Sequence, residues 1–210
     1  MKNSKYISKL RSFFYEDIKD LKNIKILEFG VRGGNSTSFF LELCDKNNGK
    51  LYSVDINDYS NLFVNQNWKF IHCADDNFSK VVEQSGKEFD LIFIDSFHDP
   101  KHVKKLIYHY FQFLKKGGLM VVDDISWIPY SKNNYRDHFH TEIINRETFN
   151  EILNILFNNK EIIDIHFSFN ESGLAKIIKQ KNETLKHGNN IIDRSFSVKN
   201  MIKKILKKVK

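Results

Sequence analysis

The chain is short of several things, and each shortage excludes a class of protein. Its 210 residues hold only two cysteines, Cys44 and Cys73, both on positions expected to be buried, one in a helix and one in a strand. No disulfide framework can be built from that pair, so the expected compartment is reducing. No apolar run is long enough to span a bilayer, and residues 1–6 lack the apolar stretch that a secretion leader needs. The expectation is a cytoplasmic protein. No segment repeats at a fixed period, which excludes solenoids and propellers.

Acidic residues are missing from one place in particular. Residues 199–210 carry six lysines (Lys199, Lys203, Lys204, Lys207, Lys208, Lys210) and no acid. Without those six the formal charge falls from +7 to +1. The rest of the chain is therefore close to neutral, and no nucleic-acid partner is expected. Within the tail, Ile202, Ile205, Leu206 and Val209 fall at i, i+3, i+4 and i+7, one apolar helical stripe flanked by lysine. Such a helix suits a peripheral contact with the anionic inner face of a membrane, or equally a solvated terminus.

What is present is enough for one core. Hydrophobic residues make up 41% of the chain, with 19 phenylalanines, and 210 residues suit a single domain. The expected domain covers 1–198, with an N-terminal helix within 1–23 and 199–210 as a separate basic tail. An amphipathic pattern at 4–22 places Leu10, Phe13, Phe14, Ile18 and Leu21 on one side. Strands and helices then alternate. Strands are expected at 24–29, 50–55, 68–73, 89–95 and 119–122, with helices at 36–46, 77–86 and from Asp99-Pro100 to Lys115-Lys116-Gly117-Gly118. A helix at 146–158 precedes two strands, 162–169 and 174–180, joined by a hairpin signal at Asn170–Gly173. Alternation ending in a hairpin predicts an α/β sandwich with a Rossmann-like, mainly parallel seven-stranded sheet and an antiparallel C-terminal strand.

The first strand leads to the most informative residues. The apolar run Ile24–Phe29 carries Glu28 and breaks at Gly30; Val31-Arg32-Gly33-Gly34 follows, and Asn35-Ser36-Thr37 opens a helix. Glycine lets the backbone approach a ligand, and free helix N–H groups point at it. A second strand ends at Asp55, where an acid can accept the hydroxyls of a ribose. The dinucleotide fingerprint is excluded, because Arg32 stands where its second glycine should be. The pattern resembles motif I of the S-adenosylmethionine (SAM) methyltransferases.

The other acids also stand at strand ends: Asp75 or Asp76, Asp95, and Asp123-Asp124. Three carboxylates at neighbouring strand ends repel unless neutralised, and a hard divalent cation is one solution. The segments FDLIFIDSFHDPKHV and LKKGGLMVVDDISW are similar to the metal-dependent branch of the SAM methyltransferases, above all the group of macrolide-sugar O-methyltransferases and cephalosporin-hydroxylase-type proteins. The resemblance spans about 22–126. It implies SAM and a divalent cation, Mg²⁺ first, as cofactors. Asp95, Asp123 and Asp124 are then the metal ligands and His98 the general base. The implied cofactor-binding residues are Glu28, Phe29, Gly30, Gly34, Asn35, Ser36, Asp55, Ile56, Asp75 and Asp95. Phe97 departs from the family pattern, which has an acid there.

The loop 125–145, rich in aromatic residues, Asn and His, is expected to be a lid, with Tyr135, Arg136 and His138 as candidate substrate contacts. The implied activity is methyl transfer to a hydroxyl of a small molecule, such as a sugar, a nucleotide-sugar or another secondary metabolite. Two other readings stay open: a metal-independent N-methyltransferase, and a non-catalytic scaffold of the same fold in a glycan-biosynthesis complex. An oligomer is compatible with the sequence.

Overall fold

The computed structural model describes residues 5–192 and 197–208. In chain order the elements are α1 (Lys5–Ile18), β1 (Lys25–Phe29), α2 (Asn35–Asn47), β2 (Lys50–Asp55), β3 (Trp68–His72), α3 (Phe78–Ser85), β4 (Phe89–Ile94), α4 (Pro100–Tyr110), β5 (Leu114–Asp123), α5 (Phe139–Asn159), β6 (Ile163–Ser168), β7 (Leu174–Lys179) and α6 (Val198–Lys208). The seven strands form one sheet in the order β3-β2-β1-β4-β5-β7-β6. Strand β7 runs antiparallel to both of its neighbours, and every other pairing is parallel. The expected sheet is therefore the one observed. The order reverses between β1 and β4, and in an open α/β sheet a ligand crevice opens at the carboxyl ends of the strands at such a point.

Strand side chains alternate between faces, and the sheet sorts its residues accordingly. Leu27, Phe29, Ile92, Ile94, Met120 and Val122 pack toward α3, α4 and α5. Ile26, Leu91, Phe93, Leu119 and Val121 pack toward α1 and α2, against Leu10, Phe14, Phe39 and Phe40. This parity has a consequence for the polar residues. Glu28 shares the face of Ile26, Asp95 continues that of Leu91 and Phe93, and Asp123 continues that of Leu119 and Val121. All three acids thus lie on the α1/α2 side.

Several boundaries differ from the sequence expectation. α1 ends at Ile18, and Leu21 is exposed. Cys73 lies just beyond β3 and is only partly buried. α4 stops at Tyr110, a 3-10 turn spans Phe111–Phe113, and Lys115–Gly118 belongs to β5 rather than to a helix end. Lys115 is drawn into the sheet by Asp90, with 2.8 Å to each carboxylate oxygen. The cation at the end of the helical segment is instead Lys179 of β7, whose buried Nζ donates to the carbonyls of Phe111, Gln112 and Leu114. α5 starts at Phe139, seven residues before the expected 146, because the His138 side chain caps it by accepting from the Thr141 N–H at 3.2 Å. The intervening loop is correspondingly shorter and contains a 3-10 turn, Ile128–Tyr130.

The tail is helical, as expected, over Val198–Lys208, with Met201, Ile202, Ile205 and Leu206 exposed. Val209 and Lys210, which complete the expected stripe and lysine count, lie outside the described residues. Among the described residues no helix is long and apolar enough to cross a membrane.

Candidate active site

A cavity of about 680 Å³ opens at the carboxyl ends of β1, β2 and β4. One wall is the turn after β1. Gly30 has φ +92°, and a Cβ there would lie 2.0 Å from the Asp95 carbonyl oxygen, so only glycine lets β1 and β4 end side by side. Gly34, at φ +71°, is the left-handed cap of α2 and lies against Leu62 and Phe63. Gly33 meets nothing. Arg32 also holds a positive φ, 45°, a conformation costly for a side chain of its size.

Asp55 closes the turn. Its Oδ2 accepts from the Val31 N–H at 2.8 Å and its Oδ1 from the Asn57 N–H at 2.9 Å. Asp75 sits deeper and is also fully engaged: Ser96 Oγ donates to Oδ2, and His102 Nε2 lies 2.9 Å from Oδ1. Ile56, Tyr59 and the exposed Phe97 complete this part of the lining.

Of the ten expected cofactor residues, Gly30, Asp55, Ile56, Asp75 and Asp95 line the cavity. Glu28, Phe29, Gly34, Asn35 and Ser36 lie outside that lining. Phe29 faces the opposite side of the sheet, its ring centroid 4.6 Å from that of Tyr110. Asn35 is exposed at the start of α2, while Ser36 is buried beside Glu28. Glu28 is fully buried beneath the turn, where its Oε2 accepts from Thr37 at 2.9 Å and Ser53 at 2.6 Å while Oε1 has no partner. Burial pushes this carboxyl up to about 7, against the pull of hydrogen bonds from Ser36, Ser53 and Thr37.

Asp95 and His98 line the other end of the cavity, and Asp123 and Asp124 lie beside them, but not as a three-aspartate cage. Asp123 is 2% exposed and turned toward α1. Its Oδ1 accepts from Lys9 Nζ at 2.6 Å, from the Asp124 N–H at 2.7 Å and from Ser172 Oγ at 3.2 Å; its Oδ2 accepts from Tyr6 OH at 2.9 Å. Tyr6 OH also reaches Asp95 Oδ2 at 2.6 Å. Backbone geometry separates the two adjacent acids: Asp124 has φ +60°, which swings its carboxylate away from Asp123 and toward His98. His98 Nε2 lies 3.4 Å from Asp124 Oδ2 and 3.5 Å from Asp95 Oδ1.

The electrostatics follow from this crowding. Burial first, then the Asp123 and Asp124 charges, raise Asp95 well above the usual carboxylate range, against Tyr6 and Lys9. Burial and Asp123 raise Asp124, against His98. Burial, with carboxylates on two sides, raises Tyr6 and keeps its hydroxyl a donor. Among the described residues no three His, Cys, Asp or Glu side chains form a ready-made metal cage. Asp123, expected as a metal ligand, is held here by Lys9, Tyr6, Ser172 and the Asp124 N–H. The donors left facing one another are Asp95 Oδ1, Asp124 Oδ2 and His98 Nε2. Two carboxylates of this kind suit Mg²⁺, which keeps several waters and is commonly held by one or two acids rather than by an all-protein cage.

Tyr135, Arg136 and His138 stand outside the cavity wall. Arg136 pairs with Glu171 at 2.6 Å, His138 caps α5, and Tyr135 is exposed. The sequence reading missed Tyr6, Lys9, Ser96, Tyr59 and His102. The signal for Lys9 was its place among Ile7, Leu10 and Phe13 on the inner side of α1.

Comparisons with known proteins agree with this geometry. Residues 27–125 match a family model described as a methyltransferase domain. No curated protein sequence matches the chain. Among solved structures, MycE, a methyltransferase of the mycinamycin biosynthetic pathway solved with Mg and SAH, is 19% identical with a TM-score of 0.62, covering 87% of this chain and 52% of its own. This chain thus spans about half the length of that relative. The SAH-bound methyltransferase PaMTH1 of Podospora anserina is 18% identical with a TM-score of 0.63, covering 85% and 80%. An O-methyltransferase from Bacillus cereus in complex with SAH is 15% identical with a TM-score of 0.58, covering 85% and 82%. Residues 27–125 are thus similar to a methyltransferase domain, and the chain shares the Rossmann-like fold of these methyltransferase structures.

Proposed function

We propose that this protein is a SAM- and divalent-cation-dependent O-methyltransferase acting on a hydroxyl of a small molecule, a sugar, nucleotide-sugar or other secondary metabolite. The observation that carries the reading is one cavity whose wall runs from Gly30 and Asp55 to Asp95 and His98. It joins a nucleoside-sized site to a cluster of acids. The presence of Mg and SAH in MycE supports the same pair of cofactors.

SAM supplies a methyl group on a sulfonium, and a divalent cation lowers the pKa of a hydroxyl bound to it. Asp55 and the backbone of the Gly30 turn hold the nucleoside end. Asp95 and Asp124 hold the cation. His98 Nε2 would take the proton of the acceptor hydroxyl, while bound SAM would supply the methyl and keep its sulfur as the neutral thioether leaving group. Flanking carboxylates then stabilise the imidazolium. The exposed Met201, Ile202, Ile205 and Leu206 of α6, set in a lysine-rich sequence, support a peripheral contact with an anionic membrane surface.

Calorimetry with SAH and Mn²⁺, followed by methyl transfer with and without EDTA, tests the proposal. Binding of both and loss of turnover in EDTA are expected. Tight NAD binding without SAH binding would sink it, and full turnover in excess EDTA would reject the metal.

A further inference from the structure

Lys9 and Asp123 are the most buried ion pair in the molecule among the described residues, with side chains 3% and 2% exposed. The pair is not needed to hold α1 on the sheet, because Ile7, Leu10, Phe14 and Ile18 already bury an apolar stripe there. It is also costly, since two charges leave water. Its location is the informative part. Lys9 Nζ reaches Asp123 Oδ1 and Ser172 Oγ, so it stands within the acid cluster whose Asp95 lines the cavity. Tyr6, one turn earlier, bridges Asp95 and Asp123.

We propose that Lys9 is a positioning residue for the cation site: a built-in counter-charge that withdraws Asp123 from the ligand set and leaves Asp95 and Asp124 to meet a divalent ion. This rests on the metal-dependent reading above. Three ionised carboxylates offset by one ammonium carry a formal charge of −2, which one divalent cation cancels. Without the ammonium, the same cluster would carry −3, and Asp123 would be free to turn toward the ion. Cation affinity rises with the number of charged ligands, so Lys9 sets the site weaker than the sequence alone would make it. A weak, water-rich site is the kind that leaves positions open for an acceptor hydroxyl.

The test reads Mn²⁺ binding directly, by electron paramagnetic resonance and calorimetry on the full chain without SAM. Lys9→Met should bind Mn²⁺ about tenfold or more tightly than the native protein, as a third carboxylate joins the set. Lys9→Arg should keep the native affinity. Lys9→Met/Asp123→Asn, which removes both charges and so keeps the fold, should also bind within about threefold of the native protein. Loss of Mn²⁺ binding in that double variant would make Asp123 a ligand and overturn the proposal. A folded Lys9→Met protein with unchanged or weaker affinity would overturn it too. Should Lys9→Met fail to fold, the double variant decides alone. If the native protein takes up no Mn²⁺, the metal-dependent reading fails. The Lys9 proposal then stands only if Lys9→Met gains a Mn²⁺ site, and falls if it does not.

Discussion

On the Asp55 side of the cavity, polar contacts close short lengths of chain; on the acidic side those made by α1 close very long ones. Asp55 bonds to residues 24 and 2 positions away. Asp75 bonds to residues 21 and 27 away. These are spans within one or two β-α units. Tyr6 reaches Asp95 and Asp123 across 89 and 117 residues, and Lys9 reaches Asp123 and Ser172 across 114 and 163. The lesson is that the first half is a local motif, whereas the second exists only once α1, β4, β5 and the β6–β7 turn have assembled. Damage to the first should change ligand binding; damage to the second should change the protein itself.

The largest expected effect breaks the acidic half at its functional end. His98→Ala should lower turnover by roughly 10²–10⁴-fold with little change in SAH affinity; single-turnover kinetics with calorimetry separates the two, and unaltered turnover would move the base role elsewhere. Next, Lys9→Ala should cost about 3–5 kcal/mol of folding stability by leaving Asp123 buried without its partner, read by urea unfolding. A loss under about 1 kcal/mol would mean the pair contributes no more than an exposed one. Third, on the local side, Asp55→Ala should weaken SAH binding by about 2–4 kcal/mol without a comparable loss of stability. A large stability loss there would erase the contrast between the halves.

A smaller effect is expected from Glu28 and depends on pH. Its folded value of about 7 lies above the ordinary 4.5. Below the lower value the carboxyl is protonated in both states and no penalty exists. As pH rises from about 4.5 through about 7 the unfolded chain ionises more readily, and stability falls by at most about 3 kcal/mol. Glu28→Gln should flatten that slope and be the more stable form at pH 8; identical slopes for the two proteins would contradict the shift. Smallest for the site itself is the tail. Removing 199–210 should leave turnover unchanged and abolish flotation with anionic liposomes, each lysine contributing about 1 kcal/mol at the surface. Equal flotation of both forms would rule the tail out as an anchor.

The same contrast explains what the sequence could reveal. Gly30, Asp55 and the β-strand ends were readable because their geometry is set by neighbours in the chain. Asp95, Asp124 and His98 were readable as acids and a histidine close to neighbouring strand ends. The different surroundings of Asp123 and Asp124 were not readable, because no pattern in the letters signals a positive φ at aspartate. The buried lysine was visible only in combination: the parity of Leu91-Phe93-Asp95 and Leu119-Val121-Asp123 puts both acids on the α1 side, and the α1 pattern puts Lys9 on its inner edge. Tyr135, Arg136 and His138 looked like ligand contacts by residue type, but a cap and an ion pair had already claimed two of them. The early start of α5 was hidden for the same reason, since histidine is an uncommon capping residue.

The long reach of Lys9 also bears on the order in which the protein assembles. Residues 5–18 precede their polar partners by a long way: the carboxylate that neutralises Lys9 is 114 residues further along the chain and the hydroxyl of Ser172 is 163 further. Until the β6–β7 turn emerges, α1 carries an ammonium on the edge of its apolar face with nothing to meet it, and docking it early would bury a bare charge. Docking of α1 is therefore favoured only once β5 and the β6–β7 turn are in place. Lys9 thus couples the first helix to the assembly of the sheet edge beside the cavity.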